Sequence, residues 1–135
     1  MKNLSLILLS LLGIHCGNSS VSTQGASCTG SSAVIGIYDG VFVSLCGCAE
    51  GAGVSSQPGT PLTCTINSGS SVIFQNIQST LKHQIQFSNN SLGASQLFDP
   101  QSPTQNSWGT TFPMAGTFSF IDTFTPGMTG QIIAL

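Results

Sequence analysis

The sequence predicts an all-β domain, a two-layer sandwich of about seven or eight strands. Three observations lead there. Short runs of β-branched and aromatic residues recur along the chain, and several alternate apolar with polar side chains, the period of a strand with one buried face. Turn-forming residues separate these runs at sandwich-like intervals. No stretch shows an amphipathic helical period. The length of 135 residues fits one domain. This pattern leaves the order of strands in the two sheets open.

The elements follow in chain order. Residues 1–15 carry Lys2 and then an apolar run from Leu4 to Ile14, too short to span a bilayer and suited to an export signal. Residues 16–27 are mostly small and polar and read as a flexible tether. The folded domain is expected over residues 28–135. Its first strands, 33–38 and 41–45, are joined by Asp39-Gly40, a strong hairpin signal. Residues 50–61 are rich in Gly, Ser and Pro and read as a loop. A strand at 62–66 is followed by the turn Asn67-Ser-Gly69 and a strand beginning at 72–74. Residues 75–82 read as a polar connection. The next strand, 83–87, places His83, Ile85 and Phe87 on one face. Residues 89–105 form a long loop containing Pro100 and Pro103, with a short helical or extended turn near 96–98. A strand at 107–112 carries Trp108, expected in the core. After a turn at Ala115-Gly116, alternation aims Phe118, Phe120 and Asp122 inward. Pro126-Gly127 fits the centre of a type II turn, and Ile132 and Ile133 lie in the closing strand.

Charge narrows the function. There are two lysines, Lys2 and Lys82, and no arginine; Asp39, Glu50, Asp99 and Asp122 are the acids. Such a chain has no basic face to neutralise nucleic-acid phosphates, and none for a polybasic grip on anionic lipid. Enzyme signatures are missing as well. There is no Gly-x-Ser-x-Gly elbow. Beyond the export signal His83 is the one histidine, so no independent base for a Ser-His-Asp arrangement is expected. The carboxylates fall on separate elements, which argues against a glycosidase pair. The chain is therefore expected not to be an enzyme.

Cys28, Cys46, Cys48 and Cys64 are an even set in an exported domain and read as two disulfides. Gly47 alone separates Cys46 from Cys48, and a bridge between them would close a strained small ring. Cys28 is therefore expected to join one of that pair and Cys64 the other. A thiolate metal site at Cys46 and Cys48 is the competing reading, disfavoured in an oxidising compartment.

Two resemblances add to this reading. The segment Leu12-Gly-Ile-His15-Cys16-Gly-Asn18 resembles the end of a bacterial lipoprotein signal, with His15 where a small residue is usual. The resemblance implies diacylation of Cys16 and a cell-envelope protein held to a membrane by its N-terminal lipid. The outer membrane or the periplasmic face, and exposure at the cell surface to a protein or glycan partner, would both suit it. The alternative is a secretory signal cleaved near Ser20.

The second covers residues 62–135. Thr65-Ile-Asn-Ser-Gly-Ser-Ser-Val-Ile-Phe-Gln-Asn76, the following His83, Ala115-Gly-Thr-Phe118 and Pro126-Gly-Met-Thr-Gly130 resemble the plastocyanin and amicyanin end of the cupredoxin family. It implies a Greek-key, cupredoxin-like sandwich. That family holds type 1 copper with two histidines, a cysteine and a methionine. Here His83 matches the first histidine and Met128 the methionine, but Asp122 stands at the cysteine position and Thr125 at the second histidine. Two expectations follow. In the favoured one no cofactor binds: Asp122 bonds to His83, or caps the amide of Phe124 or Thr125, and the domain is a binding or structural module. In the other, His83, Asp122 and Met128 hold copper for storage, delivery or electron transfer.

Overall fold

The computed structural model describes residues 28, 30–89, 92–102 and 106–135. The expected export signal at 1–15, the expected lipidation at Cys16 and the expected tether at 16–27 lie outside the described residues. No described helix is long and apolar enough to cross a membrane.

Eight strands form two four-stranded sheets. They are β1 (Ser32–Tyr38), β2 (Val41–Cys46), β3 (Leu62–Ile66), β4 (Ser71–Gln78), β5 (Ile85–Phe87), β6 (Ser107–Thr111), β7 (Gly116–Asp122) and β8 (Thr129–Ala134). The orders are β2-β1-β4-β6 and β3-β8-β7-β5. Every connection from β2 to β7 therefore crosses between sheets. That crossing makes two neighbouring pairs parallel, β1 with β4 and β3 with β8. The expected Greek-key sandwich is the observed one.

Local chemistry explains most elements. Asp39-Gly40 turns β1 into β2, with Gly40 at φ 82°, a conformation that glycine adopts without steric cost. Alternation in β7 leaves Phe120 and Asp122 buried between the exposed Ser119 and Ile121. The core is aromatic. Phe74 and Phe120 meet edge to face at 5.0 Å, Phe42 and Phe120 at 5.2 Å, and Phe87 and Phe112 at 5.7 Å. A Cβ at position 130 would lie 2.2 Å from the Phe120 ring, so Gly130 in β8 is what admits that ring. Trp108, half-buried, stacks on Phe74 at 6.0 Å, as a core residue should. Truncating one such ring in a packed core typically costs about 3–5 kcal/mol.

Three expectations are corrected. Residues 75–78 are not connection but the second half of β4, with Gln75 and Asn76 paired to Gly36 and Ile37 of β1. His83 lies just outside β5, in a short bridge with Phe98. The turn Thr125–Met128 closes by a 2.8 Å bond from the Met128 amide to the Thr125 carbonyl, but Gly127 has no positive φ. A type II turn requires one at that position, so the turn is not type II.

The disulfides are Cys28–Cys46 and Cys48–Cys64, with Cα separations of 6.1 and 4.9 Å. This is one of the two arrangements expected. It also rules out a thiolate metal site at Cys46 and Cys48, because neither sulfur is free.

Candidate functional site

The strands deliver four side chains to one end of the sandwich. Asp122 is the last residue of β7, opposite Ile85 of β5. Its backbone amide donates to the Met128 carbonyl at 3.0 Å, which clasps the β7–β8 loop at its base. His83 is fixed by two backbone bonds with Phe98, at 3.1 and 2.9 Å. Ser79 follows β4, and Asp39 lies in the β1–β2 turn. His83 and Asp122 are fully buried and Met128 is 1% exposed. The structure thus brings His83 and Asp122 into direct contact and places Met128 inside with them, its backbone bonded to Asp122.

The hydrogen bonds form one continuous chain. Asp122 Oδ2 meets His83 Nδ1 in a very short contact. Asp122 Oδ1 accepts the amides of Gln84 at 3.1 Å and Phe124 at 3.0 Å. The two roles expected as alternatives for Asp122, partner of His83 and cap of the Phe124 amide, are filled together. On the far side of the ring, His83 Nε2 contacts Ser79 Oγ. The Ser79 hydroxyl donates in turn to Asp39 Oδ1. Asp39 also accepts the Thr80 amide at 2.8 Å and the Thr80 hydroxyl at 2.7 Å.

Hydrogen bonding sets the charge on the two carboxylates. Hydrogen bonds from Ser79 and Thr80 lower the Asp39 carboxyl to about 2, against a small opposing effect of burial. Burial pushes the Asp122 carboxyl up, but the His83 hydrogen bond, the amides of Phe124 and Gln84 and the charge on His83 together bring it below the usual range. Both carboxylates are therefore ionised near neutral pH. The Ser79 hydroxyl donates to the ionised Asp39. Both ring nitrogens of His83 are engaged by protein partners, Nδ1 by Asp122 and Nε2 by Ser79.

In this arrangement the donor atoms of the pair are engaged within the protein. A metal needs a bare imidazole nitrogen and ionised ligands. Both ring nitrogens of His83 are occupied by protein partners, and both Asp122 oxygens accept bonds. Among the described residues no three of His, Cys, Asp and Glu are grouped to hold an ion. Two surface hollows among the described residues, of about 340 and 170 Å³, are lined by other residues than His83, Asp122 and Met128. The donor set does not fit type 1 copper, which needs a thiolate where Asp122 stands.

Sequence reasoning missed Ser79 and Asp39. With His83 and Asp122, Ser79 completes a linear Ser-His-Asp order that was not expected. It lacks the chemistry of a triad. A nucleophilic serine must give its proton to the histidine, and here Asp39 holds it, with a negative charge beside the atom that would have to attack. Asp39 was legible only as a hairpin residue. Nothing in the spacing pairs it with a serine forty positions later.

No protein-family model matches the chain, and no curated protein matches it. Solved structures do. A reduced mutant of amicyanin aligns at TM-score 0.53 and 16% identity, over 82% of this chain and 88% of that one. Amicyanin from Paracoccus versutus aligns at 0.51 and 17%, over 82% and 87%. The Cu(I) form of another amicyanin mutant aligns at 0.52 and 17%, over 82% and 88%. At such identities the likeness is one of fold: the domain is a cupredoxin-like β-sandwich.

Proposed function

We propose that this cupredoxin-like domain is a non-enzymatic binding or structural module of a bacterial cell envelope, held to the membrane by a lipid on Cys16. In place of a metal it carries a closed His83–Asp122 pair. One observation carries the reading: every polar atom of that pair already has a protein partner. Burying an unpaired carboxylate or imidazolium is costly, and the network removes the need for a cation. Oxygen in place of sulfur also removes the soft ligand that a Cu(I)/Cu(II) couple depends on.

Titration calorimetry with Cu(II) on the purified protein tests it. No stoichiometric binding at micromolar concentration is expected, either for the natural chain or for Asp122→Ala. Stoichiometric binding by the natural chain that disappears in Asp122→Ala would establish the second reading, a copper-handling envelope protein using His83, Asp122 and Met128. That reading draws on the shared burial of the three residues at one end of the fold. The anchor has its own test: a fatty-acid label should enter the chain and be lost in Cys16→Ser.

A further inference from the structure

The four sheet edges of this sandwich are not treated alike. The outer edge of β2 is covered by residues 53–56, through Ser44 to Val54 at 2.7 Å, Gly53 to Ser44 at 2.7 Å and Ser56 to Phe42 at 2.8 Å. The outer edge of β5 is covered by Ser95, whose amide reaches the Ile85 carbonyl at 2.8 Å and whose hydroxyl accepts the Ile85 amide at 2.8 Å. The edge of β3 is capped at Thr65, whose carbonyl accepts the Ala49 amide at 2.9 Å and whose amide donates to the Glu50 carboxylate at 2.8 Å.

The edge of β6 has no comparable cover among the described residues. Asn76 to Asn106 at 2.8 Å and Phe112 to Ser70 at 3.0 Å bracket the pairing with β4. In an antiparallel ladder this sets the parity: even-numbered residues of β6 face β4, and Ser107, Gly109 and Thr111 direct their amides and carbonyls outward. All three are exposed. Among the described residues, the contact on that side is a long one, 3.4 Å, from the Gln96 side chain to the Ser107 carbonyl. Natural sheets guard such an edge with charge, proline or a bulge. Ser107-Trp-Gly-Thr-Thr111 has no charged residue and no proline, and its register with β4 is unbroken.

We infer that β6 is a self-association edge, pairing antiparallel with β6 of a second copy about a twofold axis through Gly109. The register supports this occupant. A twofold at Gly109 sets Ser107 opposite Thr111 of the other copy and Gly109 opposite itself. All three outward-facing residues then fall at hydrogen-bonded positions, giving about six new backbone bonds. The flanking Ser and Thr side chains form a compatible cross-strand pair. The glycine at the axis has no side chain to obstruct approach. A chain with six charged residues and net charge −2 offers little repulsion between copies. The product is a continuous eight-stranded sheet, β2-β1-β4-β6 followed by the same order reversed, with closed symmetry.

Cross-linking in the full chain tests the register. Across the axis the two Gly109 Cα atoms would stand about 5.5 Å apart, within disulfide range. Gly109→Cys alone should give a covalent dimer on a non-reducing gel. Ser107→Cys and Thr111→Cys should cross-link to each other when co-expressed and not when expressed singly. Thr60→Cys, on an exposed loop, measures random collision. Gly109→Lys places like charges face to face and should weaken association in sedimentation at least tenfold, with the far-ultraviolet spectrum unchanged. Cross-linking no greater than that of Thr60→Cys would overturn the inference. So would equal cross-linking of all variants, or capture of a different polypeptide at position 109.

Discussion

At the end where β1 and β4 begin, the loops are held by covalent bonds: Cys28–Cys46 ties the N-terminal entry to the end of β2, and Cys48–Cys64 ties the segment after β2 to β3. At the end where the same strands finish, Asp39, Ser79, His83 and Asp122 do the comparable work through hydrogen bonds alone. The β1–β2 turn, the β4–β5 loop and the β7–β8 loop meet there. The two devices act on different states. A disulfide stabilises mainly by restricting the unfolded chain. The hydrogen-bonded chain acts on the native state, and it depends on which groups are ionised. One end should therefore respond to reductant and the other to acid.

The largest expected effect is at the covalent end. The bridges close loops of 18 and 16 residues in sequence separation, each worth about 3 kcal/mol. Reduction and alkylation of all four cysteines should lower the urea midpoint by the corresponding amount for both bridges. An unchanged midpoint would show that the covalent end contributes nothing and would dissolve the contrast.

Next is Asp122→Ala, which removes one partner from a fully buried pair and leaves His83 facing an empty site. A loss of about 3–5 kcal/mol is expected in urea unfolding. Asp122→Asn should lose less, because an amide oxygen still accepts from Gln84 and Phe124. Equal losses for the two variants would mean that packing, and not the charge pair, is what position 122 supplies.

The smallest effect separates the ends by pH. Asp39 has a folded value of about 2 against 3.8 ordinarily. Its contribution is complete above about 3.8 and is lost as pH falls toward 2. Asp122 is lowered too, so its contribution has the same sign and fades in the same direction. Thermal midpoints should fall as pH drops below 4, and Asp39→Asn should flatten part of that slope by a small amount, because solvent screens the exposed Asp39. A slope identical in the variant would remove Asp39 from the network.

Much of the fold was legible because its signals are local. Asp39-Gly40 between two apolar runs gives the first hairpin, and the spacing of Phe118, Phe120 and Asp122 gives the inward face of β7. The second half of β4 was hidden because Gln75–Gln78 carries no apolar alternation; β1 and β6 hold it through the backbone. The turn at Pro126-Gly127 was placed but mistyped, since Pro-Gly is compatible with more than one geometry.

The sequence by itself determined the sandwich, the even set of cysteines to be bridged, and a carboxylate where the related fold places a sulfur. Those features depend on residue type and on spacing within a few positions. Tertiary structure alone decided which cysteine met which, and that Ser79 and Asp39 extend the His83–Asp122 contact into a chain. Among the described residues, it alone left the β6 edge without the cover that the other three edges have. Those outcomes join residues up to forty positions apart, and the crossing of strands between sheets, which no local pattern encodes, brings them together.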